Sequence, residues 1–189
     1  MLTETAYTQL LLDIAADDQT AYKLLFEHFY SRLHKLAFII TRSSELSEEV
    51  VSDVFISLWR NRGKAPEIQN LRVYLYVSTR NTALNYQKRM MKKSTIPIDE
   101  LDVELGTPYT DPEQAFVTKE MEARIRNAID ALPPRCKMVF KLVKEDGLSY
   151  KEAAEVLGLS VGTIDNQLVI AVKRIASALF YRFSPASRK

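Results

Sequence analysis

A chain of 189 residues that is 47% apolar can bury one moderate core or two small ones, and its five glycines, seven prolines and long stretches of Ala, Leu, Glu, Lys and Arg predict an all-α fold. No apolar run reaches the roughly 20 residues that span a bilayer, and the N-terminus is acidic, unlike a signal peptide, so a cytoplasmic protein is expected. One cysteine, Cys136, excludes an internal disulfide, and with only His28 and His34 beside it no metal cluster and no cofactor are expected. The net charge of +2 conceals a segregation. Between residues 64 and 93, Lys64, Arg72, Arg80, Lys88, Arg89, Lys92 and Lys93 face one acid, Glu67. From 94 to 122 eight acids face the single base Lys119, and from Lys173 onward there are five bases and no acid. Basic, acidic, basic is the pattern of two nucleic-acid-facing modules joined by a segment held off the phosphates, although solvated helix faces give the same pattern.

In chain order, the first predicted helix runs from Asp18 to Thr41, where Ala21, Leu25, Phe29, Leu33, Leu36 and Ile40 recur at spacings of three and four. A second starts near Ser44, carries Leu46, Val50, Val54, Phe55, Leu58 and Trp59 on its apolar side, and ends around Arg62 and Gly63; a loop with Pro66 follows to Asn70. The third, Leu71 to about Met91, has apolar or small residues on two faces, which suits a helix packed on more than one side of a three-helix bundle. Residues 93–110 lose helical period and gather Pro, Gly, Thr and acids, so they read as a flexible linker that lets two small domains sit apart. Asp111, Pro112 and Gln114 then open a helix that Pro133 and Pro134 stop near Leu132, and another runs from Arg135 to Asp146 with Gly147 as its left-handed terminator.

The strongest local signal is LSYKEAAEVLGLSVGTIDNQLVIAVKRI, Leu148 to Ile175. Ser149 and Glu152 make a capping box; Ala153, Ala154 and Leu157 give a small inner face; Gly158-Leu159-Ser160 is a tight turn; and Ile164, Leu168, Ala171 and Ile175 stripe the next helix. This is a helix-turn-helix pattern, in which the second helix lies in the major groove. Thr163, Asn166, Gln167 and Ile170 then point outward, Lys173 and Arg174 reach phosphates, and Asn166 and Gln167 have the amides that pair bidentately with adenine. An ordinary helical hairpin is the bland alternative. Asp165 is an odd neighbour for phosphate and instead favours the positive end of its own helix.

The residues just before this motif narrow the choice. AIDALPPRCKMVFKLVKEDGLSYKEAAEVLGLS, Ala128 to Ser160, resembles region 4 of bacterial sigma factors. SEEVVSDVFISLWRNR, Ser47 to Arg62, resembles region 2.2, and NLRVYLYVSTRNTALNYQKRM, Asn70 to Met90, resembles regions 2.3 and 2.4. Their order and the acidic linker are similar to the extracytoplasmic-function (ECF) subfamily. The resemblance implies two helical domains, region 2 at 18–92 and region 4 at 111–183, with 93–110 as linker. It implies a subunit that binds core RNA polymerase at the β′ clamp and β flap and directs promoter recognition, DNA melting and transcription initiation. An anti-sigma factor, able to hold the protein at the inner membrane, is implied as a further partner, and no small-molecule substrate.

By the same resemblance, region 2.2 would meet the clamp through Glu49, Asp53, Trp59 and Arg60. The −10 element would be opened and held by Arg72, Tyr74, Tyr76, Arg80, Asn81, Asn85, Lys88 and Arg89, and the −35 element read by Ser160, Thr163, Asn166, Gln167, Ile170, Lys173 and Arg174. The chemistry agrees, since unpaired bases are held by aromatic faces beside cations. Tyr74, Tyr86, Phe55 and Trp59 also fit the bundle core, and Cys136 fits a small buried apolar role. Two departures are visible: Ser52 stands where many members carry Gln, and the recognition helix is less basic than usual. No Ser/His/Asp set, paired-carboxylate motif, phosphate-binding Gly loop or dinucleotide turn is present, so no enzyme is expected. An autonomous helix-turn-helix regulator remains as the alternative, but it gives the basic, aromatic helix at 70–91 no purpose.

Overall fold

The computed structural model describes residues 3–93 and 116–180, and among these the regular structure is entirely helical. The first helix, α1 (Glu4–Ala15), lies ahead of the expected start of the fold; Thr3 caps it by accepting from the Ala6 amide at 3.2 Å, and Tyr7, Leu11 and Ile14 turn inward. Their spacing of four and three residues is the stripe that makes the segment amphipathic. Asp18 then caps α2 (Gln19–Thr41) through the amides of Thr20 and Ala21, and the predicted stripe from Ala21 to Ile40 is buried, with Ala37 added.

Arg42, in a left-handed conformation (φ 59°), ends α2, and Ser43 caps α3 (Ser44–Arg60). At this corner Ser47 is fully buried, and its hydroxyl is satisfied by the Ser43 carbonyl at 2.6 Å and by Thr41 Oγ1 at 2.9 Å. Val50, Val51, Val54, Phe55 and Leu58 fill the space between α2 and the next long helix. Where a loop was expected, Arg62–Glu67 forms a 3₁₀ helix that buries Ala65 and packs on α1. Asn70 Oδ1 accepts from the Val73 amide at 3.1 Å and so starts α4 (Leu71–Lys93). Leu71, Val73, Leu75, Tyr76, Thr79 and Ala83 are all buried, which is the two-sided burial that the sequence predicts.

The linker, and the Asp111, Pro112 and Gln114 helix start, lie outside the described residues. From there α5 (Phe116–Asp130) leads to Pro133, after which α6 (Pro134–Phe140) begins with proline in its first turn. It continues into a π-helical turn, Lys141–Glu145, in which the Asp146 amide reaches back five residues to the Lys141 carbonyl at 2.8 Å. Gly147 (φ 70°) closes it in the left-handed conformation that glycine adopts without steric cost. The capping box then forms as expected: Ser149 Oγ accepts from the Glu152 amide at 3.2 Å, and Glu152 Oε2 from the Ser149 amide at 2.7 Å. It opens α7 (Tyr150–Leu157), and Gly158 (φ 65°) turns the chain into α8 (Val161–Phe180). Replacing Ser149 with alanine removes one partner of this box and is expected to cost about 1 kcal/mol of stability, read as a lower urea midpoint at unchanged slope.

The two halves do not sit apart here. Helix α7 packs on α4, and one buried cluster runs from Tyr7 and Leu11 through Leu25, Val54 and Leu75 into Val139, Leu142, Ala153, Val156 and Ile164. A smaller cluster of Leu132, Cys136 and Ala171 joins α5, α6 and α8.

Candidate nucleic-acid interface

On α8 the predicted inward stripe of Ile164, Leu168 and Ala171 is buried, so the opposite side of the helix must face solvent. Ser160, Asn166, Ile170, Lys173 and Arg174 are exposed there, and Thr163 is half-buried. Ser160 is the N-cap: its Oγ accepts from the Thr163 amide at 3.1 Å and lies 2.8 Å from the Thr163 hydroxyl. Gln167 departs from expectation. It is half-buried and its Oε1 accepts from the buried Cys136 thiol at 3.0 Å, so its carbonyl faces α6 and is not free to read a base. The thiol thereby also has a polar partner beyond the purely apolar role expected of it.

The second basic element is α4. Asn81, Asn85, Lys88 and Arg89 are exposed along its C-terminal half, and Arg89 lies over the Tyr86 ring at 5.9 Å. Its N-terminal half is different, because Arg72, Tyr74 and Arg80 are half-buried and Tyr76 is 1% exposed. Tyr76 therefore does not present its ring to a base in this arrangement, contrary to its place in the expected −10 set. The physical reason is the docked second half, whose Asp146 lies against the Tyr76 hydroxyl. That hydroxyl is buried against the Asp146 carboxylate, and burial, then that neighbouring charge, push its ionisation far up.

Around Asp146 the polar contacts between the halves converge. Arg72 Nη2 donates to the Asp146 carbonyl at 2.7 Å, and Arg32 Nε lies 3.8 Å from its carboxylate. Burial nonetheless raises the Asp146 carboxyl above the ordinary range, so desolvation outweighs both the Tyr76 hydroxyl and the attraction of Arg32. Arg32 is steadied from behind by His28, whose Nε2 lies 3.3 Å from both Arg32 Nη1 and the Tyr7 hydroxyl; burial, then the Arg32 charge, lower the imidazole. Helix α1, through Tyr7, thus contributes to a cluster that sequence reasoning missed. Asn70 Nδ2 donates to Glu152 Oε1 at 2.9 Å. Burial alone would raise Glu152, but the Asn70 and Ser149 hydrogen bonds prevail and hold it below the usual carboxylate range.

A third surface lies on α3. Glu49, Asp53 and Arg60 are exposed, and Asp53 Oδ2 accepts from the Tyr86 hydroxyl at 2.8 Å, tying α3 to α4. Trp59 is half-buried between the Tyr22 ring at 4.9 Å and the Arg62 guanidinium at 4.9 Å, while Arg62 also pairs with Asp17. Gln19, Tyr22, Lys23, Ile56, Trp59 and Arg60 line an open groove beside it. Phe55, by contrast, is core. Among the described residues no group of His, Cys, Asp or Glu is placed to hold a metal, and no single helix is long and apolar enough to cross a membrane.

A capped helix-turn-helix at one end of an all-helical chain, and a basic amide-rich helix in the other half, define a two-module DNA-binding protein. The comparisons with known proteins agree. Residues 25–92 match the family Sigma-70 region 2, and residues 122–175 match Sigma-70, region 4. The RNA polymerase sigma-H factor of Pseudomonas aeruginosa is 25% identical over 186 residues, which cover 95% of this chain and 96% of that one. The ECF RNA polymerase sigma-E factor of Escherichia coli is 27% identical over 184 residues, covering 92% and 95%. Among solved structures, CnrH in complex with the cytosolic domain of CnrY is similar in fold, with a TM-score of 0.59, 19% identity, and coverage of 94% of this chain and 99% of that one. The sigma factor RpoE of Bartonella quintana, in complex with the anti-sigma factor NepR, gives 0.56 at 19% identity, covering 84% and 96%.

The chain belongs to the sigma-70 family and is a sigma factor of the ECF subfamily. It is a transcription initiation factor: it binds core RNA polymerase and directs promoter recognition, DNA melting and the start of transcription.

Proposed function

We propose that the work is divided between region 2, residues 18–92, and region 4, residues 111–183, with 93–110 as the linker. In this reading α3 meets the β′ clamp through Glu49, Asp53, Trp59 and Arg60. Helix α4 captures the opened −10 strand with Arg72, Tyr74, Arg80, Asn81, Asn85, Lys88 and Arg89. Helix α8 reads the −35 element with Ser160, Thr163, Asn166, Ile170, Lys173 and Arg174, while region 4 sits on the β flap. The observation that carries the reading is the solvent-facing row of Asn166, Ile170, Lys173 and Arg174 opposite the buried face of α8. Such a row pairs an amide that reads base edges with cations that reach phosphates. No catalytic role is assigned to any residue.

An anti-sigma factor is the second protein partner in this reading, supported by the solved relatives, whose structures hold CnrY and NepR. In this reading the protein works in the cytoplasm, where such a partner holds it at the inner membrane.

The clamp assignment has a direct test. Replacing Asp53 with lysine reverses a charge at the surface and cuts the hydrogen bond from Tyr86, and it is expected to weaken core binding about tenfold. Competition against a labelled sigma factor for purified core enzyme reads this, with Tyr86→Phe as the control that removes the hydrogen bond but keeps the charge. Equal competition by a folded Asp53→Lys protein would remove this face from the interface.

A further inference from the structure

Resting on the reading of α8 as the −35 reader, we infer that Val169 and Ile170 read thymine methyl groups, so that the upstream element is recognised through A·T pairs. The inference starts from the charges this helix lacks. From Ser160 to Val172 there is no lysine or arginine, so this stretch cannot make the two-pronged cation contact to O6 and N7 that singles out guanine. The cations begin at Lys173 and Arg174, beyond the N-terminal part of a recognition helix that reaches base edges, and they are left to phosphate. The polar side chains narrow the choice further. Gln167 is held by the Cys136 thiol, and the Ser160 and Thr163 hydroxyls lie 2.8 Å from each other. Asn166 is exposed, with the amide that pairs with adenine. Asp165 is exposed and offers acceptors alone, which suit the amino group of adenine or cytosine and repel the O6 and N7 acceptors of guanine.

Where cations are missing, branched apolar side chains stand. Val169 is 45% exposed and Ile170 40% exposed. They follow Asn166 by three and four residues, so the three share one face, opposite the buried Ile164, Leu168 and Ala171. Valine and isoleucine on a solvated face gain nothing in the free protein. In the major groove the C5-methyl of thymine is the apolar group that base pairs present, and it is where such side chains lose their contact with water. An amide for adenine beside two branched side chains for thymine methyls is thus one A·T-reading surface.

The test uses the chain bound to core RNA polymerase. A template library randomised over the upstream element, with the −10 element fixed and already mismatched, is transcribed, and the sequences yielding most RNA should be rich in A·T pairs. The best of them is then made with thymine or with deoxyuracil in that element, a change that removes the methyl and keeps the pairing. Uracil should lower transcription about fourfold for each methyl contacted, the effect of losing one methyl group's burial. Val169→Ala and Ile170→Ala should each lower the thymine template toward the uracil one, and the double variant should treat the two alike. Val169→Thr, which keeps a methyl, should retain part of the distinction. Val172→Ala, at a side chain 46% exposed that follows the buried Leu168 by four residues, is the control that keeps the parental response. Selection of G·C-rich elements, or a parent indifferent to uracil, would overturn the methyl reading. In that event Asn166→Ala tells the two readings apart: flattened upstream preference leaves α8 as the −35 reader, whereas unchanged preference removes α8 as well. Methyl sensitivity that survives in a folded double variant would overturn the assignment to Val169 and Ile170.

Discussion

Alanine at Tyr74, Arg80 and Asn81 together is expected to leave polymerase able to close on promoter DNA but unable to open it. An unpaired base held by an aromatic face is worth roughly 1 to 3 kcal/mol, and guanidinium contacts add to this, so the loss of open complex should reach about two orders of magnitude. Permanganate reactivity of −10 thymines measures it directly. A template already mismatched over that element should recover part of the activity, since the energy of strand separation has been supplied in advance. Because Tyr74 and Arg80 are half-buried, near-parental melting of the variant is the control, and persistent thymine reactivity in a folded variant would remove this face from strand capture.

The complementary defect belongs to α8. Replacing Asn166 and Lys173 with alanine deletes an amide able to pair with adenine, worth roughly 1 to 3 kcal/mol of discrimination, and one phosphate contact. Transcription from promoters that depend on their upstream element should fall by about 10- to 100-fold, preference at −35 should flatten, and −10 preference should be retained. Gln167 is left out because its carbonyl is already engaged by Cys136. A promoter library scored against both variants checks the division: a change of −10 preference in the α8 variant would contradict separate reading heads.

What could be read in advance was what is encoded over a few residues. The Ser149–Glu152 capping box, the left-handed Gly147, the tight turn at Gly158, the stripe of α2 and the inward face of α8 all follow from spacings of three or four and from the stereochemistry of single residues. The 3₁₀ turn at Arg62–Glu67 escaped because its Pro66 and Gly63 look like loop residues, and α1 escaped because its stripe is only Tyr7, Leu11 and Ile14. The rest depends on partners distant in the chain. Nothing near Tyr76 foretells that Asp146 will cover it, nothing near Gln167 points to Cys136, and nothing near Asp53 announces Tyr86 thirty-three residues on. Tertiary packing decides which aromatic on a two-faced helix stays available, and one sequence period cannot report it.

The buried cluster that runs unbroken from α1 into α8 bears on cooperativity. Denaturant sensitivity scales with the surface that unfolding exposes. Leu142, Val139 and Val156 belong to the same buried cluster as Leu25, Val54 and Leu75, so one shared transition is expected, read as a single denaturant midpoint by probes placed in either half. The same sharing adds a conformational term to partner binding. If a partner accepts only the separated arrangement, its apparent affinity is reduced by the fraction of molecules already separated, a penalty that is independent of how well its own contacts fit.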